Sequence, residues 1–207
     1  PRFERLNVTS RPFFQVGSAV VQATPVEDWK TYLRWHVVRS TAPYLGDAFV
    51  QEDFRFGRQY LQGARELEPR WKRCVQATDR GLGDALGQLY VERTFGKDGK
   101  ARMQKMIESL TAALRDDIES LPWMTAETKR KALAKLEAFR TDKVGYPDEW
   151  KDYSSVEVRR DDYAGNARRA QVFEVKRSHA RIDRPTDRTL WGMTPPTVNA
   201  YYSSANN

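Results

Sequence analysis

Histidine and cysteine are the side chains most often used to bind a transition metal or to act as a catalytic nucleophile or base, and this chain has few of them. It contains two histidines, His36 and His179, and one cysteine, Cys74. The histidines are far apart in the sequence, and neither lies one helical turn from a second histidine or a cysteine. A single cysteine excludes an internal disulfide and a thiolate cluster. We therefore expect this chain alone to bind no metal or other cofactor.

Paired carboxylates are another common source of acid–base chemistry. Two pairs of adjacent aspartates occur, Asp116 with Asp117 and Asp161 with Asp162. Neighbouring residues on a helix point in different directions, so neither pair is expected to converge on a substrate. Asp161 and Asp162 also stand where a helix is predicted to begin, a place that the helix dipole favours for acids. We predict no catalytic residue in this chain.

A Gly-x-Gly sequence at Gly81, Leu82 and Gly83 is a candidate phosphate-binding loop. It follows no predicted strand, lacks the third glycine of a dinucleotide-binding fingerprint and is not followed by Lys and Ser or Thr. The phosphate interpretation is therefore rejected. The glycines instead indicate a sharp turn or a close approach to a packed helix.

The last residues, 194–207, have the composition of a short β-strand with an extended entry and a turn-rich exit. Pro195 and Pro196 favour an extended entry, and the residues that follow include the strand formers Thr197, Val198, Tyr201 and Tyr202. One interpretation is an edge strand that only completes a sheet. The other is a strand whose free edge pairs with an extended peptide, with the Asn199 amide as a further donor and acceptor. The residues alone leave both interpretations open.

Helices must position this segment, and local signals predict several of them. The clearest pattern predicts a helix whose apolar residues face the core at every third or fourth position, namely Met103, Ile107, Leu110, Leu114, Ile118 and Leu121. Pro122 is expected to end this helix, and Thr125 to cap the next one. Earlier in the chain, Thr24 is expected to cap a helix that has Pro25 at its first position.

Composition limits the class of protein. The 207 residues are 40% hydrophobic and 12% aromatic, which is enough for a packed core. No apolar run approaches the roughly 20 residues of a membrane-spanning helix, and no hydrophobic region of a signal peptide is visible. The net charge of +7 is spread among acidic residues, so we expect no nucleic-acid partner.

Residues 187–207 read DRTLWGMTPPTVNAYYSSANN and resemble the segment of neprilysin-like zinc metallopeptidases that carries their Asn-Ala-Tyr/Phe-Tyr substrate-binding strand. Three further blocks are similar to the same family and occur in its order. They read RWKRCVQATDRGLGDALGQLYVERTF at 70–95, LPWMTAETKRKALAKLEAF at 121–139 and KVGYPDEWKDYS at 143–154. Two residues depart from the family pattern. Asp183 replaces a glycine, and Leu190 replaces an acidic residue that commonly precedes the tryptophan.

The resemblance implies a mainly α fold, a multi-helix domain with a few short strands that ends in an edge strand of the catalytic domain. Residues 1–140 would belong to the family's helical second domain. Residues 141–207 would form a connecting segment, a helix and the first edge strand of the catalytic domain. The family's zinc-binding His-Glu-x-x-His helix follows downstream of this strand, and the chain ends at Asn207 before it. We therefore expect a middle segment of a peptidase that is inactive by itself.

The resemblance also implies a function for the parent protein, a zinc metalloendopeptidase that hydrolyses oligopeptides with a zinc-bound water. The zinc ligands would lie outside this chain. The side chain of Asn199 would hydrogen-bond the peptide backbone, and the main chain of Ala200 would add a rung of antiparallel pairing. Tyr201 and Tyr202 match the aromatic positions of the motif, and at least one of their rings is expected to be buried.

Partners and location follow from the same resemblance. The partners would be a peptide substrate and the missing C-terminal catalytic half, in the same chain or in a separate one, which would dock on exposed apolar surface. The parent protein would be exported, as a periplasmic, extracellular or membrane-anchored enzyme. The competing function is a non-catalytic helical binding or interaction module derived from the same family.

Overall fold

The computed structural model describes residues 8–96, 98–139 and 143–201, and helices dominate them. The predicted mainly α fold class is confirmed. The helices in chain order are α1 (Arg11–Ala23), α2 (Val26–Thr41), a 3₁₀ helix (Ala42–Tyr44), α3 (Asp47–Asp53), which continues as a π-helical stretch (Phe54–Tyr60), α4 (Arg70–Thr94), α5 (Gly99–Ser120), α6 (Ala126–Glu137) and α7 (Tyr163–His179).

The few short strands expected beside the helices are not formed among the described residues. A strand is held by hydrogen bonds to a neighbouring strand, and no described segment pairs in this way with residues 197–201. Tyr202, the last residue of the predicted substrate-binding motif, lies outside the described residues.

The chain folds as two compact units that alternate along the sequence. The first unit comprises Pro1–Lys72 and Glu157–Asp183, and the second comprises Arg73–Val156 and Arg184–Asn207. The chain passes from one unit to the other after Lys72, Val156 and Asp183, and none of these points coincides with the domain boundary expected at residue 140. The family-based assignment of residues 1–140 and 141–207 to two domains stays a prediction.

In the first unit, α7 packs against the 3₁₀ helix. The rings of Tyr44 and Tyr163 meet edge to face with their centroids 5.2 Å apart. The small residues Ala42 and Ala170 are buried in this unit, and so is Val50 of α3. Asp162 caps α7 because its carboxylate accepts a hydrogen bond from the backbone N–H of Gly165 at 2.9 Å.

In the second unit, α5 and α6 pack against each other as a helical hairpin. α5 ends at Ser120, just before Pro122, and Thr125 caps α6 by accepting a hydrogen bond from the N–H of Thr128 at 3.2 Å. Both local predictions are confirmed. The buried apolar side chains of this unit are Val91, Ile118, Leu136 and Val144.

The apolar stripe of α5 does not form the core that its periodicity predicts. Ile118 is buried, but the side chains of Leu110 and Leu114 are 61% and 49% exposed. Periodicity identifies the apolar face of a helix and does not say what covers it. The expected exposed apolar surface is therefore present, and α1 adds Phe13 and Phe14 in the first unit. None of the described helices is long and apolar enough to cross a membrane.

Helix α4 bends at Leu82, whose φ of −134° and ψ of 38° lie outside the helical region. Its neighbour Gly83 is buried, and so is Gly87 one turn further on. The bend agrees with the local turn predicted for the Gly-x-Gly sequence. The close approach at Gly83 is made by Thr194, which lies in no helix, so the predicted packing against a helix is not what the structure shows there.

Candidate functional site

The candidate site lies in residues 192–201, which we call the terminal segment. Residues 193–196 are half-buried, and residues 197–201 are exposed. A turn organises its first half: the N–H of Thr197 donates to the carbonyl of Thr194 at 2.9 Å. The hydroxyls of the same two threonines are also hydrogen-bonded, with their oxygens 3.0 Å apart. Pro195 and Pro196 occupy the middle of the turn, where their fixed φ angles narrow the backbone conformations available.

The second half of the terminal segment is held by Tyr201. Its hydroxyl accepts a hydrogen bond from the backbone N–H of Gly192 at 3.0 Å, which closes residues 192–201 into a loop. The ring is about half exposed, so the predicted burial of a tyrosine ring does not apply to Tyr201. Its hydroxyl, rather than ring burial, fixes the segment. Just before the loop, Lys143 donates to the carbonyl of Leu190 at 2.9 Å.

Asn199 and Ala200 lie on the exposed side of this loop. The Oδ1 atom of Asn199 accepts a hydrogen bond from the N–H of Ala200 at 2.8 Å. That bond uses the acceptor of the asparagine amide and the donor of the next peptide unit. It does not engage the Nδ2 donor of Asn199 or the carbonyl of Ala200. Val198, immediately before them, is fully exposed.

The base of the terminal segment, Thr194 and Pro195, lies against two glycines of α4. We call this pair, Gly83 and Gly87, the glycine seat. A Cβ atom placed at Gly87 would lie 2.7 Å from Cδ of Pro195, and one placed at Gly83 would overlap the Cγ2 methyl of Thr194. Atoms this close repel, so the segment can occupy its position only because both residues lack a side chain.

A second loop, at residues 146–153, lies beside the same part of α4. The indole of Trp150 would be 3.5 Å from a Cβ atom at Gly87, and its ring stacks on Tyr146 at a centroid distance of 6.1 Å. The Asp84 carboxylate accepts a hydrogen bond from the N–H of Lys151 at 3.3 Å, and the N–H of Asp84 donates to the hydroxyl of Tyr153 at 3.4 Å. These contacts hold the 146–153 loop against α4, next to Pro195.

The described residues do not fit a zinc ion. Among residues 8–96, 98–139 and 143–201, no three His, Cys, Asp or Glu side chains are grouped so that they could hold a metal. His36 instead packs its ring against Tyr32 at a centroid distance of 4.3 Å, and Cys74 is half-buried.

Asp162, a member of one of the two candidate acid pairs, has a structural role. Asp162 binds the start of α7 and accepts a hydrogen bond from Arg169 at 2.9 Å. These donors, Arg169 first, lower the pKa of its carboxyl group below the ordinary aspartate value. A carboxylate held ionised in this way is a helix cap and ion-pair partner rather than a proton donor.

Sequence reasoning missed Gly87 and Gly192. Both residues lie under side chains of the terminal segment, Pro195 in one case and Tyr201 in the other. Isolated glycines carry no local signal that identifies the distant residue they will contact. The segment itself, with Asn199, Ala200 and Tyr201, was found from its strand-forming composition and from the family resemblance.

Comparisons with known proteins identify the family. Peptidase family M13 matches residues 1–147. The chain is 36% identical over 183 residues to an endothelin-converting enzyme homolog of Locusta migratoria, covering 85% of this chain and 25% of that protein. It is 30% identical over 214 residues to endothelin-converting enzyme 1 of Rattus norvegicus, covering 99% of this chain and 28% of that enzyme.

Solved structures give the same result at higher identity. The zinc metalloprotease of Mycobacterium tuberculosis in its open state is 44% identical, with a TM-score of 0.79 over 91% of this chain and 29% of that chain. The inhibitor complex of the same protein has a TM-score of 0.80. The chain thus spans between 25% and 29% of the length of these relatives. The match covers more than two thirds of the chain, and the chain belongs to peptidase family M13.

Proposed function

We propose that this chain acts as part of a zinc metalloendopeptidase that hydrolyses oligopeptides, and that its terminal segment aligns the peptide substrate. Membership of peptidase family M13 supports the class of reaction. The zinc metalloprotease of Mycobacterium tuberculosis, whose fold this chain shares over 91% of its length, supports the metal. We assign the zinc and its ligands to a part of the enzyme outside the described residues, and we propose no role in bond cleavage for the described residues of this chain.

The observation that carries the alignment role is an exposed backbone whose two ends are fixed. The Thr194–Thr197 turn holds one end, and the bond from Gly192 to Tyr201 holds the other. Asn199 and Ala200 lie between these anchors and are exposed to solvent. An ordered and accessible backbone is what an extended peptide needs for pairing, because the entropy of ordering the segment is lost before the substrate arrives.

The internal bond between Asn199 and Ala200 determines which atoms are offered to the peptide. Because Oδ1 of Asn199 already accepts from the N–H of Ala200 at 2.8 Å, the side chain contributes its Nδ2 donor to a substrate carbonyl. The carbonyl of Ala200 accepts from a substrate N–H. In this arrangement Tyr201 supports the loop, and Tyr202 is proposed to continue the aromatic part of the motif. Alignment of this kind can contribute several kcal/mol to lowering the barrier.

We further propose that the rest of the peptidase covers the exposed apolar side chains of α5. The relatives are about four times as long as the matched region, since the chain covers 25% to 29% of them. Leu110 and Leu114 face solvent on the α5 face whose periodicity is typical of a core. The enzyme is proposed to be exported, as a periplasmic, extracellular or membrane-anchored protein.

The test uses the enzyme expressed from the full reading frame that contains this chain, with an internally quenched oligopeptide as substrate. Asn199→Ala removes the amide donor, and we expect kcat/KM to fall on the order of 10- to 100-fold. Zinc content and melting temperature should stay at their original values. The matched control is Gln171→Ala, which removes an exposed carboxamide from α7 in the other unit and should leave kinetics unchanged.

The outcomes separate the proposed function from its competitor. Hydrolysis that Asn199→Ala does not impair would contradict the alignment role. A zinc-free protein that binds peptides without cleaving them would identify the non-catalytic binding module instead.

A further inference from the structure

The glycine seat differs from the other crowded glycines of the described helices in what crowds it. Gly99 and Gly165 are crowded by residues three or four positions earlier in the chain, Phe95 and Asp162, whereas Gly83 and Gly87 are crowded by the distant terminal segment.

Gly83 and Gly87 are one helical turn apart and therefore on the same face of the helix. A Cβ atom at Gly83 would meet the methyl of Thr194, and one at Gly87 would lie 3.0 Å from Cγ and 2.7 Å from Cδ of Pro195. By contrast, a Cβ atom at Gly17 of α1 would have no neighbour within 4 Å.

Backbone conformation does not explain these two glycines. The described glycines with a positive φ are Gly63, Gly96 and Gly145. Gly83 and Gly87 have φ values that any L-amino acid adopts, so the space above them is what requires glycine. That space is filled by Thr194 and Pro195, the first residues of the turn.

Short contacts connect the glycine seat with the residues proposed to align the peptide. Thr194 is joined to Thr197 by the N–H to carbonyl bond of 2.9 Å and by the hydroxyl pair at 3.0 Å. Asn199 follows Thr197 by two residues. The other end of the loop is closed by the hydrogen bond from the Gly192 N–H to the Tyr201 hydroxyl at 3.0 Å, so we expect a displacement of the loop's base to move Asn199 and Ala200 as well.

We propose that Gly83 and Gly87 are positioning residues of the peptidase: the seat they form on α4 receives Thr194 and Pro195 and sets where Asn199 and Ala200 meet the substrate. The inference rests on the proposed function and names residues distant in sequence that govern the same site. Neither glycine touches the substrate, and both act through the turn.

The experiment moves one methyl group from one side of the contact to the other. In the full-length enzyme, Gly83→Ala adds a methyl that displaces Thr194. Thr194→Ser removes the Cγ2 methyl that a Cβ atom at Gly83 would overlap, and it keeps the hydroxyl that faces Thr197. Each single variant should raise KM and lower kcat/KM for an oligopeptide by roughly tenfold or more, since small displacements are costly in a positioned site. The double variant restores the number of methyl groups and should recover most of the loss.

The control is Gly17→Ala, a glycine-to-alanine change inside a helix where the new methyl meets nothing. It should leave both kinetic constants unchanged and should not lower the melting temperature. A purely structural role for Gly83 would reduce the amount of active enzyme while the remaining molecules keep the original KM. Zinc content and active-site titration of every variant separate that result from the expected rise in KM.

The possible results decide between the two proposals. If Asn199→Ala impairs hydrolysis but Gly83→Ala and Thr194→Ser keep the original KM, the seat does not position the segment and the inference is overturned. It is also overturned if the double variant folds and remains as impaired as the worse single variant. If Gly83→Ala fails to fold, Thr194→Ser alone still decides the matter through its KM. If Asn199→Ala has no effect on hydrolysis, the proposed alignment function is contradicted, and the inference that rests on it falls with it.

Discussion

The hydroxyl of Tyr201 accepts a hydrogen bond from the backbone N–H of Gly192 at 3.0 Å, and the hydroxyl-bearing edge of the tyrosine ring lies against that glycine. A Cβ atom at Gly192 would be 2.8 Å from the hydroxyl oxygen and 2.9 Å from the carbon that bears it. The hydrogen bond gives Tyr201 a structural role in this loop, and its predicted contact with substrate stays a prediction. Its side chain closes the loop that presents Asn199.

Tyr201→Phe is expected to loosen this loop. The change removes the acceptor of the Gly192 N–H and leaves the ring, so the free energy of unfolding should fall by only about 0.5–1.5 kcal/mol. The KM for an oligopeptide should rise, because residues 192–201 lose one of their two closures. Steady-state kinetics and denaturant unfolding measure the two effects. Tyr60→Phe, which changes a highly exposed tyrosine in the first unit, is the control.

The cap of α7 is expected to make stability depend on pH in the acidic range. The Arg169 guanidinium and the Gly165 N–H lower the pKa of the Asp162 carboxyl below its ordinary value of 3.8. A carboxyl group whose pKa is lowered by folding stabilises the protein above the ordinary value and loses that contribution as the pH falls through the lowered pKa. Denaturant unfolding measured at a series of pH values should therefore show a shallower acid dependence for Asp162→Asn than for the original protein.

Asp161→Asn controls for the loss of one negative charge near the start of α7. It removes a neighbouring exposed carboxylate that does not cap the helix. An equal change in acid dependence for both variants would contradict the assignment to Asp162.

Two aspartates of α4 should respond in opposite ways to removal. The Oδ1 atom of Asp79 is buried and finds no hydrogen-bond partner among the described residues, so Asp79→Ala should leave stability unchanged or increase it. Asp84 accepts from the N–H of Lys151 at 3.3 Å and lies 3.6 Å from its ammonium group. Asp84→Ala should therefore lower the free energy of unfolding by about 1–2 kcal/mol. Denaturant unfolding of both variants tests the contrast, and similar losses for the two would contradict it.

Local signals predicted helix ends with uneven success, and two threonines show why. Thr125 caps α6 as predicted, because its hydroxyl finds the N–H of Thr128 within its own turn. The prediction that Thr24 caps α2 was wrong. Its hydroxyl donates to the carbonyl of Val20 at 2.7 Å and ends α1, while Pro25 takes the cap position of α2 without a side-chain bond. A threonine between two helices can bind either one, and the choice depends on packing that the local sequence does not encode.

The candidate site divides in the same way. Strand-forming residues and an asparagine were sufficient to select residues 197–201 as a segment of interest, and the family resemblance supplied Asn199 and Ala200. The partner of that segment could not be predicted, because Gly83 and Thr194 are brought together only when α4 and the end of the chain pack. The same limit applies to α5, where periodicity identified the apolar face of Leu110 and Leu114 but not its exposure.

The full exposure of Val198 has a consequence for how such a loop diverges. Its side chain projects from a backbone whose shape is set by the turn at Thr194 and by Tyr201, and it contributes nothing to either anchor. Substitutions at exposed positions of this kind change stability by no more than about 0.5 kcal/mol. Substitutions at position 198 should therefore leave the turn at Thr194 and the Tyr201 hydrogen bond unchanged. The side chain next to Asn199 can vary in sequence at this position while the loop keeps its conformation.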